Sequence, residues 1–174
     1  DDIKLFAKTQ DELVNLSRLT QECLNDMGLE LNEAKSACNV QDDQVPGQCL
    51  EGVRGYKYLG ILEDSTCAVQ EENLSLVREK ALARVRLLCG TKLNAIHLSR
   101  AVNEFAISVF NYYIGLLQFE PQEFARVDID VRNVFKEFNI IRQSSNVDRL
   151  YLSRRKFGRG FLSVEELAER VMLK

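Results

Sequence analysis

The spacing of apolar residues predicts a helix near the start of the chain. Between residues 10 and 27, apolar side chains recur every three or four positions, and Gly28 follows where a C-terminal cap would end the helix. Thr9 and Glu12 form a capping box, in which the Thr9 hydroxyl accepts from the Glu12 amide and the Glu12 carboxylate reaches back. We expect the following residues to form one buried stripe: Leu13, Leu16, Thr20, Cys23, Leu24 and Met27.

Short β-prone segments surround this helix. Residues 3–7 alternate at first between apolar and polar side chains and predict a strand, and residues 56–62 (Tyr-Lys-Tyr-Leu-Gly-Ile-Leu) predict another. The stretch 29–40 contains further extended candidates, and residues 41–52 are polar and include Pro and Gly, so they predict a loop or hairpin connection. This first part of the chain therefore predicts a mixed layer of helix and sheet.

From about residue 68 the periodicity is helical. Leu74, Val77, Ala81, Val85 and Leu88 share one face of a helix that ends near Gly90. Ser99 can cap a second helix, and Pro121 fits the first turn of a third. The expected buried face of the second helix is Val102, Phe105, Ala106, Val109, Tyr113 and Leu116. The third is expected to bury Phe124, Val127, Val131, Val134, Phe135 and Phe138.

A second capping box, Ser163 with Glu166, predicts the start of a last helix. The whole pattern predicts an α+β fold in two parts. Residues 1–66 would form a short antiparallel sheet with one helix, and residues 67–174 an all-α helical bundle.

Composition narrows the class of protein. Of the 174 residues, 45% are hydrophobic, which is enough to build a core and excludes a wholly disordered chain. No apolar run approaches the roughly 20 residues that span a bilayer, so we expect no membrane partner. No signal peptide is visible, so we expect an intracellular protein, nuclear or cytoplasmic. The chain does not begin with Met, so we also expect it to be a piece of a longer protein.

The charge is distributed unevenly. The net charge of −3 is an average that by itself disfavours a nucleic-acid binder. Residues 1–64 carry 13 acidic and 6 basic side chains, whereas residues 65–174 carry 13 acidic and 17 basic ones. The basic residues of the C-terminal part include Arg149, Arg154, Arg155, Lys156 and Arg159, in a stretch without acids. Such asymmetry can mark a face that binds nucleic acid.

Cysteine chemistry does not suggest a zinc site. The five cysteines are widely spaced, no C-x-x-C is present, and His97 is the single histidine, whereas zinc needs about four closely paired ligands. We expect reduced, mostly buried thiols.

Asp1 and Asp2 form a carboxylate pair of the kind that holds divalent ions. Asp42 and Asp43 form an equal pair, however, and either pair alone is typical of a solvated turn.

The order of these features, rather than any one of them, resembles a reverse transcriptase. That family has an aromatic-x-Asp-Asp hairpin, then a helix, a Gly-Leu-x-Leu-Asn-x-x-Lys segment and a Tyr-Leu-Gly strand that grips the primer end. Here Asp1-Asp2, the helix at 10–27, residues 28–35 (Gly-Leu-Glu-Leu-Asn-Glu-Ala-Lys) and Tyr58-Leu59-Gly60 follow in the same order. The aromatic half of the first motif would precede residue 1.

The C-terminal part resembles one subclass, the reverse transcriptases of retrotransposons without long terminal repeats. The resemblance lies in residues 101–106 and 112–115, in the Asp128-x-x-x-Arg132 pattern, and in the segment 149–165. The family usually has Pro in place of Ser153 and a second Gly in place of Phe157, and it often has Trp near Phe119. The resemblance implies that residues 1–66 are the C-terminal part of a polymerase palm and residues 67–174 a helical thumb with a basic C-terminal segment.

The resemblance also implies roles for individual residues. Asp1 and Asp2 would bind metal as catalytic residues, and Lys35 would lie near the phosphates of the incoming nucleotide; a solvated lysine at a strand end is an equal alternative for Lys35. Tyr58, Leu59 and Gly60 would belong to the primer grip, or simply to the core. The thumb residues expected to contact nucleic-acid phosphates are Arg78, Lys80, Arg84, Arg149, Arg154, Arg155, Lys156 and Arg159. For each of these cations the alternative is a solvated surface.

The parent activity implied is RNA-directed DNA polymerisation with Mg²⁺, an RNA template and a DNA primer. We expect the chain by itself to be inactive, because the fingers, the nucleotide pocket and a third aspartate would lie elsewhere. A non-catalytic nucleic-acid-binding or protein-interaction module derived from such an enzyme is the alternative, and a helical scaffold is a third. An incomplete palm would also expose strand edges, which predicts self-association through them or a poorly ordered N-terminus.

Overall fold

The computed structural model divides the chain into two compact units, Asp1–Gln70 and Glu71–Lys174, called here the N-terminal and C-terminal units. Helices and two small sheets are both present, which confirms the α+β class. The residues that the structure describes are 2–40, 44–50, 55–66, 68–69, 72–117 and 119–173.

Helix α1, Gln10–Asp26, begins and ends where the sequence predicts. The Glu12 amide donates to Thr9 Oγ1 at 3.3 Å. The Glu12 carboxylate also reaches back, but it accepts from the amide of Lys8 at 3.0 Å, one residue earlier than in a standard capping box. The predicted capping is therefore confirmed in its first bond and shifted by one residue in its second.

The predicted buried stripe of α1 is only partly correct. Leu24 is buried and Leu13 is half-buried, but Leu16 is 37% exposed and Met27 is 65% exposed. Ser17, which was not expected, is buried beside Leu24. Apolar residues recur at helical spacing on two adjacent faces of α1, so the spacing alone does not show which face is buried. In the structure the buried face is the one that contains Leu13, Ser17 and Leu24.

The strand predicted at residues 3–7 is not formed. A strand requires a hydrogen-bonded neighbour, and no described segment pairs with these residues. A side chain anchors the segment instead: the Lys4 ammonium bonds to the Glu63 carboxylate and lies 5.0 Å from the centre of the Tyr58 ring.

The strand predicted at 56–62 is instead a hairpin. Strand β3, Tyr56–Tyr58, pairs antiparallel with strand β4, Ile61–Glu63. Leu59 and Gly60 form the turn, with φ of 47° and 88°. Positive φ at both central residues is typical of the two-residue type I′ turn that reverses a chain into an antiparallel ladder. Leu59 and Gly60 were predicted to lie in a strand, and this prediction is wrong because they form the turn of the hairpin.

A second pair of strands precedes this hairpin. Strand β1, Ala37–Cys38, pairs parallel with strand β2, Gln48–Cys49. Strands β1 and β2 thus form one two-stranded sheet, and strands β3 and β4 form another. A short 3₁₀ helix, Glu33–Lys35, leads into β1 and is capped by the side chain of Asn32.

The C-terminal unit begins with helix α2, Glu72–Cys89. Val77, Ala81 and Val85 are buried along it, which confirms the predicted face, and the helix ends at Gly90 as predicted. Among the helices in the described part of the chain, none has the length and apolar character that crossing a membrane requires.

The second predicted helix begins earlier than expected. Helix α3 is Ala95–Ala101, and its N-cap is Asn94, whose Oδ1 accepts from the amides of Ile96 and His97 at 3.1 and 3.0 Å. Ser99 is therefore not a cap. It is buried inside α3 and its hydroxyl donates to the carbonyl of Ile96 at 3.0 Å.

A π-helical segment, Val102–Ala106, follows α3 without a break, then a 3₁₀ turn, Ile107–Val109, and helix α4, Phe110–Leu117. A π turn contains one residue more than an α turn, so every later side chain is rotated. The residues predicted to be buried after it were Val109, Tyr113 and Leu116. The residues that are buried lie one position further on: Phe110, Ile114 and Leu117.

Helix α5, Pro121–Glu137, starts with the predicted proline and buries the predicted face. Phe124 of α5 meets Phe110 edge to face, with ring centres 6.1 Å apart. Helices α6, Asp148–Tyr151, and α7, Val164–Met172, complete the unit, and α7 packs against α5. One core thus joins the helices of the C-terminal unit and fixes the loops between them.

Candidate nucleic-acid interface

The start of α7 is held by a carboxylate of α5. Asp128 is buried, and it accepts hydrogen bonds from the Ser163 hydroxyl at 2.7 Å and from the amides of Val164 and Glu165 at 2.9 and 3.2 Å. Burial raises the pKa of Asp128 from its ordinary value, while these hydrogen bonds and the charge of Arg132 act in the opposite direction. The arrangement fixes where the segment before α7 must end.

Arg132 lies one turn after Asp128 on α5 and donates to the Tyr151 hydroxyl at 2.8 Å. Burial raises the pKa of Tyr151 to about 12, and the negative charge of Asp128 adds to that shift. Tyr151 therefore stays neutral at ordinary pH, and Arg132 keeps its charge while being held by a neutral oxygen.

The residues between α6 and α7, 152–162, form what we call the basic loop. Asn103, in the π-helical segment, holds this loop with both ends of its side chain. Its Nδ2 donates to the Gly160 carbonyl at 2.9 Å, and its Oδ1 accepts from the Leu162 amide at 2.9 Å. Inside the loop, Gly158 is tightly enclosed, because a Cβ there would lie 1.9 Å from the Leu152 carbonyl oxygen.

Three arginines of the basic stretch are held by neutral oxygen atoms. Arg154 Nη2 donates to the carbonyl of Ala95 at 2.6 Å and to the Ser99 hydroxyl at 3.0 Å. Arg159 Nη1 donates to the Ile140 carbonyl at 2.6 Å. Arg149 Nε donates to the carbonyl of Phe157 at 3.2 Å.

These arginines surround a cavity of about 560 Å³ inside the C-terminal unit. Its lining includes no aspartate or glutamate among the described residues. We call it the cationic pocket and define it by five side chains: Arg132, Lys136, Arg149, Arg154 and Arg159.

The geometry of the cationic pocket suits an anion with several oxygen atoms. A guanidinium has five N–H donors, and the bonds to carbonyl and hydroxyl oxygens occupy only one or two of them on each arginine. Neutral acceptors fix Arg149, Arg154 and Arg159 without cancelling their charge. The charge of Arg132 also interacts with the Asp128 carboxylate. Pre-positioned guanidinium groups bind phosphate oxygens in pairs, so phosphate is the chemical group that this pocket fits best.

The other cations predicted from the sequence are placed differently. Arg155 and Lys156 are exposed in a 3₁₀ turn, Arg154–Lys156, and do not line the cationic pocket. On α2, Arg78 pairs with Asp130, with 2.6 Å between Nε and Oδ2.

Arg84 of the same helix donates to the Phe105 carbonyl at 2.8 Å, and Lys80 is exposed. The charge of Arg78 is thus matched by a carboxylate, while Lys80 and Arg84 keep theirs. The structure brings together the predicted Arg149, Arg154 and Arg159, but not the α2 cations with them.

In the N-terminal unit, Asp2, Lys35 and Tyr58 line one cavity of about 450 Å³. Lys35 ends the short 3₁₀ helix rather than a strand, and its backbone carbonyl accepts a hydrogen bond from the Tyr56 hydroxyl. Asp1, predicted to bind metal with Asp2, lies outside the described residues.

The described residues do not fit a magnesium site. Two-metal chemistry needs several carboxylates around the ions. No group of three or more His, Cys, Asp or Glu side chains in the described part of the chain could hold a metal ion. Asp2 is exposed and is the only described member of the predicted pair. We therefore assign no catalytic step to this cavity.

Sequence reasoning missed two cations of the pocket and the asparagine that holds the basic loop. Arg132 and Lys136 lie four residues apart on α5, so they share a helix face with Asp128. That spacing was the available signal, but a helical period alone cannot tell a solvated polar face from one that lines a cavity. Asn103 lies in the segment 101–106 that carries the resemblance, but its role could not be predicted, because its two partners lie 57 and 59 residues away.

Comparison with protein-family models, with curated proteins and with solved structures gives no match to this chain.

Proposed function

We propose that this chain is part of an RNA-directed DNA polymerase and that its C-terminal unit holds the backbone of a nucleic-acid duplex. The observation that carries the proposal is the cationic pocket, which five basic side chains line and which no acidic side chain of the described residues lines. The order of sequence motifs supplies the reaction class, and the pocket supplies a chemical reason for contact with phosphates.

Phosphate contacts of this kind give affinity without sequence preference. Each phosphate that a cation neutralises releases counterions, so binding should weaken steeply as salt rises. Four further cations add positive charge to the same unit: Arg155 and Lys156 in the basic loop, and Lys80 and Arg84 on α2. None of the four has a carboxylate partner among the described contacts. They would extend the contact along the backbone beyond the pocket.

The N-terminal unit would contribute the palm side of the enzyme. Asp2, Lys35 and Tyr58 line a common cavity, which is consistent with Lys35 lying near a nucleotide phosphate and Tyr58 near a primer end. We assign these residues no step in phosphoryl transfer. The chain alone is expected to bind an RNA–DNA hybrid and to be inactive in primer extension; any template-dependent synthesis by the purified chain contradicts this expectation.

A salt titration of hybrid binding tests the proposal. The double variant Lys136→Gln/Arg159→Gln removes two pocket charges, and Arg126→Gln/Arg170→Gln removes two exposed charges outside the pocket. We expect the slope of log K against log salt to fall by about 2 for the pocket variant, since each phosphate contact contributes roughly 0.9 on duplex DNA. We expect the control to change it little.

Thermal unfolding of each variant separates lost binding from lost folding. Equal slopes for the two variants would place the contact outside the pocket. No measurable binding of the wild-type chain at low salt would contradict the proposal and favour a helical scaffold.

The second candidate function is a nucleic-acid-binding module that no longer belongs to an active polymerase. It is favoured by the position of the cationic pocket, which lies wholly within the C-terminal unit and needs no residue of the palm-like unit. The sequence upstream of Asp1 discriminates between the two. An aromatic residue two positions before Asp1, and an aspartate-bearing strand further upstream, favour the polymerase.

A further inference from the structure

Phe157 occupies an unusual position in the basic loop. Its backbone φ is +59°, in the left-handed region where a side chain other than glycine is strained. Phe157 is 85% exposed, so burial within the chain does not compensate for that strain. Strained, exposed residues of this kind concentrate at binding sites, where the strain holds a group in position for a ligand.

The loop leaves Phe157 little freedom to relax. Its amide donates to the Arg154 carbonyl at 3.1 Å, and its own carbonyl accepts from Arg149 Nε at 3.2 Å. The next residue, Gly158, is enclosed against the Leu152 carbonyl. The backbone carbonyl of Arg154 and the side chain of Arg149 thus hold the two peptide groups of Phe157.

Phe157 also lines the cationic pocket. Because the ring both lines the cavity and is largely exposed, it lies at the mouth of the pocket. A flat aromatic face beside several cations is the combination that proteins use for unpaired nucleotides, whose bases stack on the ring while the phosphates meet the positive charge.

We propose that Phe157 and the cationic pocket bind an unpaired nucleotide at the end of a duplex, with its base stacked on Phe157 and its phosphate among the arginines. The inference rests on the proposed function and deepens it, because it adds a site for an unpaired nucleotide to the contact that the same pocket makes with duplex phosphates. A cavity of about 560 Å³ has the size of sites that enclose small ligands, so it can enclose one nucleotide while the duplex itself stays outside and offers only backbone phosphates to the cations.

Binding of two hybrids by the full chain tests this inference. One is a blunt RNA–DNA hybrid, and the other is the same hybrid with a short unpaired extension that carries 2-aminopurine, whose fluorescence falls when it stacks. We expect the extension to tighten wild-type binding about tenfold and to be quenched, as stacking on an aromatic side chain predicts.

Two substitutions assign the effect to the ring. Phe157→Gly removes the ring at a backbone angle that glycine adopts freely, so it should fold at least as well as the wild type. It should lose the tenfold gain and the quenching while keeping its affinity for the blunt hybrid. Phe157→Trp should keep both. Phe105→Leu alters another exposed aromatic, which is 61% exposed and does not line the pocket, and should behave like the wild type.

The outcomes separate this inference from the proposed function. If the blunt hybrid binds but the extension adds no affinity, or if the gain survives in Phe157→Gly, the unpaired-nucleotide site is overturned and the duplex contact stands. A gain lost equally in Phe105→Leu also overturns it. If the wild-type chain binds neither hybrid at low salt, the proposed function fails and this inference fails with it.

Discussion

The Ser163 hydroxyl donates to Asp128 Oδ2 at 2.7 Å, across 35 residues of sequence. The same hydroxyl oxygen accepts from the Glu166 amide at 3.2 Å, so Ser163 caps α7 and ties it to α5 with one atom. The basic loop ends at this point. A buried contact between two helices therefore determines where the loop that carries the arginines can lie.

Replacing Asp128 should cost more stability than replacing its neighbour on α5. Asp128 Oδ2 accepts hydrogen bonds from the Ser163 hydroxyl and the Glu165 amide. In Asp128→Asn an NH₂ group, which is itself a donor, would replace this oxygen. We therefore expect a loss of about 2–4 kcal/mol in the free energy of unfolding. Asp130→Asn removes only a part-exposed ion pair with Arg78 and should cost less than about 1 kcal/mol. Urea unfolding of both variants measures the difference; equal losses would contradict the capping role of Asp128.

The raised pKa of Asp128 predicts the sign of a pH effect. Between its ordinary pKa of 3.8 and its higher folded pKa, the folded state holds more protons than the unfolded state. The contribution of Asp128 to stability should therefore be largest at low pH and decrease as pH rises through the folded pKa. The difference in unfolding free energy between wild type and Asp128→Asn should fall across this window and then level off. A difference that rises with pH would reverse the inferred direction of the shift.

Two glycines offer a matched pair of substitutions. Gly158→Ala forces a Cβ to within 1.9 Å of the Leu152 carbonyl oxygen, so we expect a loss of about 2 kcal/mol or more. Gly115, in α4, has open space around its Cβ position. Gly115→Ala should stabilise the chain by about 0.5–1 kcal/mol, because alanine loses less entropy in a helix. Thermal unfolding checks both signs, and a neutral Gly158→Ala would show that the loop can shift.

The described cysteines should differ in reactivity. Cys23 and Cys49 are exposed, whereas Cys38 and Cys89 are buried. Burial raises the pKa of Cys89 to about 11, so little thiolate forms near neutral pH. We expect a thiol reagent to label Cys23 and Cys49 in the folded chain and Cys89 only after unfolding, as peptide mapping by mass spectrometry would resolve. Rapid labelling of Cys89 would indicate local opening of α2.

Local signals predicted the helix ends well where one residue decides them. Pro121 acts through its fixed φ and Ser163 through its hydroxyl, and the structure agrees at both. Helix α2 also ends before Gly90, as predicted. Ser99 was a wrong choice of cap because Asn94, five residues earlier, makes the capping bonds. The strand at 3–7 failed because pairing needs a neighbour, which a local pattern does not reveal.

The sequence predicted several of the basic residues of the candidate site, but not which of them the fold brings together. The run of basic residues pointed to Arg149, Arg154 and Arg159, which do converge. Whether a cation is matched by a carboxylate depends on distant partners, as Arg78 and Asp130, 52 residues apart, illustrate. The stacking candidate Phe157 is distinguished by its φ and its exposure, and neither can be obtained from sequence periodicity.

The π-helical segment Val102–Ala106 sets the phase between two parts of the C-terminal unit. On one side it presents Asn103 to the basic loop, and on the other it turns Phe110 and Ile114 into the core. Each residue turns a helix by about 100°, so deleting a single residue here would keep only one of these two alignments. A one-residue deletion within 102–106 should thus harm the chain far more than the same deletion in an exposed connection, which makes the length of this segment, and not only its composition, a constraint on how the sequence can change.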